Sequence, residues 1–130
     1  MTTLLDRYSK PCAHIYNNKV LLASTMEVIG VTLGDCVFGV SGEVKGKIFD
    51  KTLYAASGEM IATEVECKTA VEFNPLDILL QGWDILEKIK DHSCPWITPK
   101  DKWLSSNIED FLKLQGTITV IRQANKKVLF

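Results

Sequence analysis

Apolar and polar residues alternate without interruption over residues 61–73, the longest regular pattern in the chain. The odd positions, among them Ile61, Val65 and Cys67, are apolar or β-branched, whereas the even positions carry three glutamates and a lysine. Because successive side chains of a strand leave opposite faces of a sheet, this period of two predicts a half-buried β-strand. Such a strand would be roughly 40 Å long at about 3.3 Å per residue, with its odd positions against the core.

Shorter apolar and β-branched runs predict further strands at residues 13–16, 19–24, 26–33, 36–40 and 51–56. Residues 43–49 fit both a strand and a helix face, and we favour a strand because Gly46 is costly inside a helix. Residues 3–9 are expected to form one or two helical turns. No internal repeat is apparent.

The clearest joint in the chain follows the long strand. Asn74 is a good helix cap and Pro75 suits the first helical position, so a helix is predicted over residues 75–91. An apolar stripe at helical spacing, expected to face the core, consists of Leu76, Leu79, Leu80, Trp83 and Leu86. A second helix is predicted from Thr98, with a possible restart at Ser106, and strands at residues 117–122 and 127–130 close the fold.

Together these elements predict an α+β fold: a curved, mostly antiparallel β-sheet with two C-terminal-half helices packed on it and short closing strands. A chain of 130 residues is long enough for one globular domain with its own core, covering residues 1–130. A sheet bent around a helix would leave a cavity, and its open edges are surfaces that homodimers tend to cover.

Composition narrows the function without naming it. The net charge of −1 argues against a non-specific nucleic-acid binder, which would carry a basic surplus. No apolar run approaches the length that spans a bilayer, and the first residues lack the pattern of a signal peptide. The four cysteines are far apart in the sequence. We therefore expect a cytoplasmic protein, not bound to membranes, with mostly reduced thiols.

Each of the two histidines lies two residues from a cysteine, which suggests a metal site. Cys12 and His14 would share a face of one strand, and His92 and Cys94 lie near the end of the first helix. If the two pairs met in space, two sulfurs and two nitrogens would suit tetrahedral zinc. The spacing matches no established zinc motif, and the alternative interpretation is four ordinary structural residues.

Three other residues are candidates for binding a ligand. Cys67 would lie on the concave side of the sheet, beneath the helix. Trp96 and Trp103 flank the proline-rich turn between the helices, where large aromatic rings can form a contact surface. Packing in the core is the alternative for all three. No residue is assigned a catalytic role, because no cysteine has an evident base beside it.

A short segment is similar to part of the 4-vinyl-reductase type of small-ligand-binding domain. The similarity rests on Gly42, Gly46, Gly58 and the sequence of residues 64–67. In that family a glycine and a second cysteine soon follow the first cysteine, and neither follows Cys67 here. The resemblance implies a small-ligand site, but this departure means that it does not assign the chain to the family.

Three functions remain open at this point. The first, favoured because catalytic motifs are absent, is a small non-catalytic binding or regulatory module acting through a homodimer or a protein partner. The second is a small-ligand-binding protein or enzyme with a cavity between sheet and helix. The third is a zinc-stabilised domain that uses the two Cys/His pairs.

Overall fold

A computed structural model of the protein describes residues 1–94 and 96–114. Eight antiparallel strands close into a barrel, in which each strand pairs with its neighbours in sequence and the last pairs with the first. The strands are β1 (Thr2–Leu5), β2 (Pro11–Tyr16), β3 (Lys19–Leu22), β4 (Val28–Leu33), β5 (Cys36–Gly39), β6 (Val44–Phe49), β7 (Thr52–Ala55) and β8 (Met60–Glu66). The predicted α+β fold with an open curved sheet is therefore wrong, because β1, expected to be helical, pairs with β8 and closes the sheet.

The barrel consists of four hairpins of the same construction, β1–β2, β3–β4, β5–β6 and β7–β8. Each turn is closed by one backbone hydrogen bond of 2.8 to 3.0 Å between an amide and a carbonyl. The amide and carbonyl pairs are Asp6 and Lys10, Leu22 and Glu27, Gly39 and Glu43, and Ala55 and Glu59. Each second strand contains one bulged residue: Cys12, Ile29, Lys45 and Ile61. These positions recur every 16 or 17 residues, so the chain does contain a structural repeat.

One layer of the barrel interior pairs a large side chain with a small one in every hairpin. Directly opposite each other are Leu4 and Ala13, Val20 and Gly30, Val37 and Gly46, and Leu53 and Ala62. The four large residues are fully buried. Gly46 has no room for a side chain, because a Cβ would collide with the Tyr54 carbonyl oxygen. Eight strands enclose a space that side chains alone can fill, and here they form a packed core.

The long strand predicted at residues 61–73 is shorter and is oriented differently from the prediction. β8 ends at Glu66, although the Cys67 amide still donates to the Met1 carbonyl at 3.3 Å. The bulge at Ile61 places both Ile61 and Ala62 in the interior. A bulge shifts the alternation by one residue, so from this point the predicted inner and outer rows are exchanged.

Helix α1 (Pro75–Lys88) packs on the outside of the barrel against β3, β4 and β5. Asn74 caps it as predicted, because its side-chain oxygen accepts from the amides of Leu76 and Asp77. The residues that α1 buries are Ile78, Gly82 and Ile85. Gly82 permits a close approach, since a Cβ there would lie 2.7 Å from the Lys19 side chain.

The stripe expected to face the core lies on another face of α1. Leu76, Leu79, Leu80 and Trp83 are 45 to 62% exposed, and only Leu86 is partly buried against the barrel. Both sets of residues recur at helical spacing, which is why the sequence alone did not separate them. The core-facing assignment of these four residues is wrong, and they remain uncovered by the described part of the chain.

Helix α2 (Ile108–Lys113) closes the barrel at the end where the four hairpin turns lie. Ile108, Phe111 and Leu112 join the interior core, and the Leu112 carbonyl accepts from the Val40 amide at 3.0 Å. The helix predicted from Thr98 is wrong over its first part, because this segment runs along the β7–β8 hairpin instead. Its backbone bonds to Gly58 and Met60 there. The closing strands predicted at residues 117–122 and 127–130 lie outside the described residues.

A disulfide joins Cys36 of β5 to Cys94, whose Cα atoms are 5.9 Å apart. It ties the segment that follows α1 to the barrel, and Cys12 and Cys67 remain free thiols. The expectation of reduced thiols is wrong for the bonded pair, and the predicted cytoplasmic location stays a prediction. Neither helix of the described part is long and apolar enough to cross a membrane.

Candidate functional site

One face of α1 is an uncovered apolar surface within the described residues. We call Leu76, Leu79, Leu80 and Trp83 the outer face of α1. Their exposed fractions are 62, 45, 56 and 55%. Isolated apolar residues on a surface are ordinary, but four on adjacent turns of one helix form a contiguous patch. A contiguous exposed patch of this kind is typical of an interaction site.

Only carboxylates lie at the beginning of α1, whereas its end carries lysines together with the carboxylates of Glu87 and Asp91. Glu72 and Asp77 lie at its beginning, and Lys88 and Lys90 lie at its end. No ion pair within the described residues holds Glu72, Lys88 or Lys90. The helix dipole is positive at the beginning of α1 and negative at its end. It therefore interacts favourably with Asp77 in the first turn and with Lys88 in the last turn.

A second feature, on the outside of the barrel, joins three polar side chains of β1, β2 and the residue after β8. Thr3 and His14 are directly opposite on β1 and β2, and their Oγ1 and Nδ1 atoms are 3.0 Å apart. Thr3 is also opposite Val65 on β8, and Cys67 lies two residues further along the same face.

Burial and hydrogen bonding lower the pKa values of the two titratable groups of this feature, His14 and Cys67. His14 is only 7% exposed, and burial lowers the pKa of its imidazole below the ordinary value. The pKa of the Cys67 thiol is lowered chiefly by a hydrogen bond from the Thr3 hydroxyl. Cys67 is partly exposed and its Sγ also donates to the Thr69 carbonyl at 3.4 Å. The arrangement holds a neutral histidine and an accessible thiol on either side of one hydroxyl.

The four residues predicted to bind zinc are not brought together. Cys12 and His14 lie on β2, whereas Cys94 is bonded to Cys36 on β5, and two strands separate β2 from β5. The His92 ring lies beside Phe38 of β5, with 6.4 Å between the ring centroids. Among the described residues, no group of three or more metal-ligating side chains could hold a metal ion.

The two candidate tryptophans lie in different surroundings. Trp96 is 87% exposed, whereas Trp103 is partly buried and pairs with Met60 through a short parallel bridge. Trp103 lines a small cavity of about 170 Å³ that Cys12 also lines. Burial raises the pKa of the Cys12 thiol to about 11, and its Sγ donates to the Leu4 carbonyl at 3.3 Å. Cys12 is therefore protonated and unreactive at neutral pH.

A larger cavity of about 830 Å³ lies at the same end of the barrel as α2. Phe111 and Leu104 contribute apolar wall, and Lys88, Lys90 and Asp91 contribute charged groups from the end of α1 and the residues after it. Its volume is in the range of small-molecule sites. This cavity lies among the hairpin turns, and Cys67 does not line it. The cavity was expected beneath the long strand, near Cys67, and it lies elsewhere.

Two features of these sites were missed from the sequence. Thr3 was expected in a helix, and its position between Cys67 and His14 depends on how β1 pairs with two other strands. The sequence did contain a sign that Leu76, Leu79, Leu80 and Trp83 face outwards. Ile78, Gly82 and Ile85 form a second set at helical spacing, and this set is the one that faces the barrel. That set contains the β-branched residues and the glycine that allow close packing on a sheet.

No protein-family model matches this chain, and no curated protein or solved structure is significantly similar to it. Arguments about its function therefore rest on the geometry of its own residues.

Proposed function

We propose that this protein is a non-catalytic binding module that self-associates weakly through the outer face of α1. The supporting observation is the exposure of Leu76, Leu79, Leu80 and Trp83, a contiguous apolar face that no described residue covers. The closed barrel offers no open sheet edge within the described residues, so the edge pairing expected from the sequence is not the route to a dimer.

The spacing of the apolar residues favours a second copy of α1 as the occupant. Leu76, Leu79 and Trp83 are separated by three and four residues, which is the spacing of a coiled-coil seam. Two such helices run antiparallel when the twofold axis is perpendicular to them, and Leu79 of each copy then faces Trp83 of the other. This contact is isologous and closes on itself.

Charge complementarity supports the same arrangement. An antiparallel pair places the beginning of one α1 beside the end of the other, so Glu72 of each copy lies near Lys90 of its counterpart. The antiparallel orientation also opposes the two helix dipoles favourably. A parallel pair would instead bring the carboxylates at the beginning of α1 together and would align the two helix dipoles.

The size of the face sets the strength of the association. The exposed parts of the four residues amount to on the order of 400 Å², the size of a patch that is commonly functional on a monomer. Two copies would bury roughly 800 Å², less than the ~1,200 Å² or more of stable complexes. We therefore expect a dissociation constant of about 10 to 100 μM, or roughly −7 to −5.5 kcal/mol.

Sedimentation equilibrium over about 5 to 500 μM protein tests this proposal. The average mass is expected to rise from that of the monomer towards that of the dimer. Leu80→Glu and Trp83→Glu should hold the protein monomeric over the whole range. Tyr8→Glu is the matched control, because Tyr8 is 72% exposed on the β1–β2 turn and lies outside the face. This control should associate as the unaltered protein does.

A charge-reversal pair tests the antiparallel orientation. Glu72→Lys alone should weaken the association, and adding Lys90→Glu should restore it, because the exchanged charges again attract. A monomeric mass at every concentration would contradict self-association. Equal weakening by Tyr8→Glu and Trp83→Glu would place the contact elsewhere.

The cavity of about 830 Å³ favours a second candidate function, the binding of a small ligand. Its wall combines apolar side chains with three lysines and three carboxylates, a composition that suits a partly apolar molecule with polar groups of either charge. Native mass spectrometry of freshly purified protein should then show a retained small molecule. Ser57→Trp, which adds a bulky ring to the wall, should abolish that retention, and a ligand-free mass in the unaltered protein would contradict this candidate.

A further inference from the structure

We propose that the disulfide between Cys36 and Cys94 is a redox switch that controls how tightly the cavity of about 830 Å³ holds a small ligand. The proposal rests on the second candidate function, the binding of a partly apolar molecule in that cavity. The bond holds residues 90–94, which we call the strap, against the barrel. Reduction by a thiol frees the strap, and the cavity then loses two of the residues that line it.

The strap lies lengthwise along β5 and the turn that follows this strand. Three contacts fix its path, and each step back towards the beginning of β5 is matched by an equal step forward from the end of α1. The contacting pairs are Gly42 with Lys88, Phe38 with His92, and Cys36 with Cys94. The strap therefore runs antiparallel to β5, with the cavity near its beginning and the disulfide at its end.

The two ends of the strap are held in different ways. Its beginning follows Ile89, which is buried, and a Cβ at Gly42 would lie 2.9 Å from the Ile89 nitrogen. All five residues of the strap are exposed, and among the described residues no backbone hydrogen bond joins them to the barrel. A bond of 2.9 Å from the Ser93 amide to the Asp91 carboxylate lies within the strap. Beyond the contact of the His92 ring, the far end therefore depends on the disulfide.

The strap contributes directly to the cavity. Lys90 and Asp91 line it together with Phe111 of α2. Ile89 and Ile97, on either side of the strap, are both buried, so its release is a local change that leaves its flanks in place. Once freed, the strap turns outwards about Ile89 and carries Asp91 away from the cavity. The ligand then loses contacts and dissociates more easily.

The two sulfurs of the disulfide differ in access. Cys94 is exposed, whereas Cys36 is only 3% exposed, so an external thiol attacks at Cys94. The thiolate of a reductant R–SH forms a Cys94–S–S–R bond and breaks the bond to Cys36, whose thiolate takes up the proton that R–SH released. A second R–SH then yields the Cys94 thiol and R–S–S–R. The protein disulfide is reduced by two electrons, two thiols are oxidised, and a disulfide oxidant reverses the change.

Two observations favour a switch over a purely structural bond. Disulfides with an exposed sulfur are among the labile and regulatory ones. The barrel is closed by the pairing of its eight strands, and α1 is packed on it through Ile78 and Ile85, so neither depends on the disulfide. Reduction is therefore expected to free the strap while the barrel and α1 stay in place.

The test uses the full chain and the fluorescent probe 8-anilinonaphthalene-1-sulfonate, which has apolar rings and one negative charge. The part of its binding that Ser57→Trp abolishes is the part that occurs in the cavity, because Ser57 lines it. Reduction with dithiothreitol should raise the dissociation constant of this part about tenfold, within the usual range for coupled sites. Cys94→Ser should bind as the reduced protein does and ignore dithiothreitol. Cys67→Ser, which removes a free thiol, is the matched control and should respond as the unaltered protein does.

A reciprocal measurement tests the same coupling from the other side. If reduction weakens probe binding tenfold, saturating probe must make the disulfide about tenfold harder to reduce at equilibrium. Mixtures of reduced and oxidised dithiothreitol set the redox conditions, and alkylation followed by mass spectrometry measures the fraction of Cys94 that is reduced.

Cavity binding in neither redox state would contradict both the cavity as a ligand site and the switch. Equal dissociation constants in the two states, or tighter binding after reduction, would overturn the switch and leave the cavity as a ligand site. A disulfide that resists dithiothreitol in the folded protein would also overturn it. So would loss of cooperative urea unfolding on reduction, because weaker binding would then report loss of the fold and not release of the strap.

Discussion

Replacing Ala62 with leucine tests how β8 sits in the barrel. Ala62 is fully buried opposite Leu53, in the layer where each hairpin pairs a large residue with a small one. Three added carbons have no space there and must displace neighbouring side chains. Overpacking of this kind costs about 1 to 3 kcal/mol, out of a total stability of roughly 5 to 15 kcal/mol. If the uninterrupted alternation were right, Ala62 would face solvent and the change would cost less than about 0.5 kcal/mol.

Urea unfolding measures the free energy of each variant, and Val65→Leu is the matched control. Val65 lies on the opposite face of β8 and is 40% exposed, so its replacement should have almost no effect. Leu53→Ala alone should cost about 2 to 5 kcal/mol, because it leaves a cavity in the core. Combining Leu53→Ala with Ala62→Leu exchanges the large and small members of the pair. This double variant should be at least about 1 kcal/mol more stable than the sum of the single effects predicts.

The reasoning fails if Ala62→Leu is neutral, or if Val65→Leu is the more destabilising change. Additive effects of Leu53→Ala and Ala62→Leu would show that the two side chains do not share one space. A neutral Ala62→Leu or a more destabilising Val65→Leu would favour the simple alternation over the bulge at Ile61. Thr63 and Cys67 would then face the interior.

Three further predictions follow from local features. Cys94→Ala should lower the free energy of unfolding by about 4 kcal/mol, because the disulfide to Cys36 closes a loop of 58 residues, and reduction should have the same effect. Asn74→Ala should cost about 1 kcal/mol in urea unfolding, whereas Asn74→Ser should cost less, because serine also caps. Since the Cys12 thiol ionises near pH 9 when unfolded and only at about 11 when folded, stability should fall with rising pH between these values. Cys12→Ala should show a smaller fall, and an identical one would contradict the shift.

The local elements were the part of the fold that the sequence predicted well. The cap at Asn74 and the strand β6 depend on residues close together in the chain, and both predictions are confirmed. Closure of the barrel depends on Thr3 lying opposite Val65, more than sixty positions away, which no periodicity reports. The bulge at Ile61 escaped for a different reason, since the residue types on both sides of it still alternate.

The same distinction applies to the candidate sites. Cys67 and His14 were both singled out from the sequence, but for separate roles, one as a ligand contact and the other as a metal ligand. Their connection through Thr3 depends on the register of three strands. The apolar residues of α1 were also recognised, and their assignment to the core failed because Ile78 and Ile85 offered a second face with the same period.

The four equivalent hairpins imply that one backbone position is presented four times around the same ring. Cys12, Ile29, Lys45 and Ile61 occupy it, and they include a thiol, two aliphatic side chains and an amine. The functional group at a bulged position can therefore change by a single substitution, with no change in the pairing of the strands. The four hairpins share one backbone construction. They differ in the side chain at the bulged position and in which of them the two helices contact.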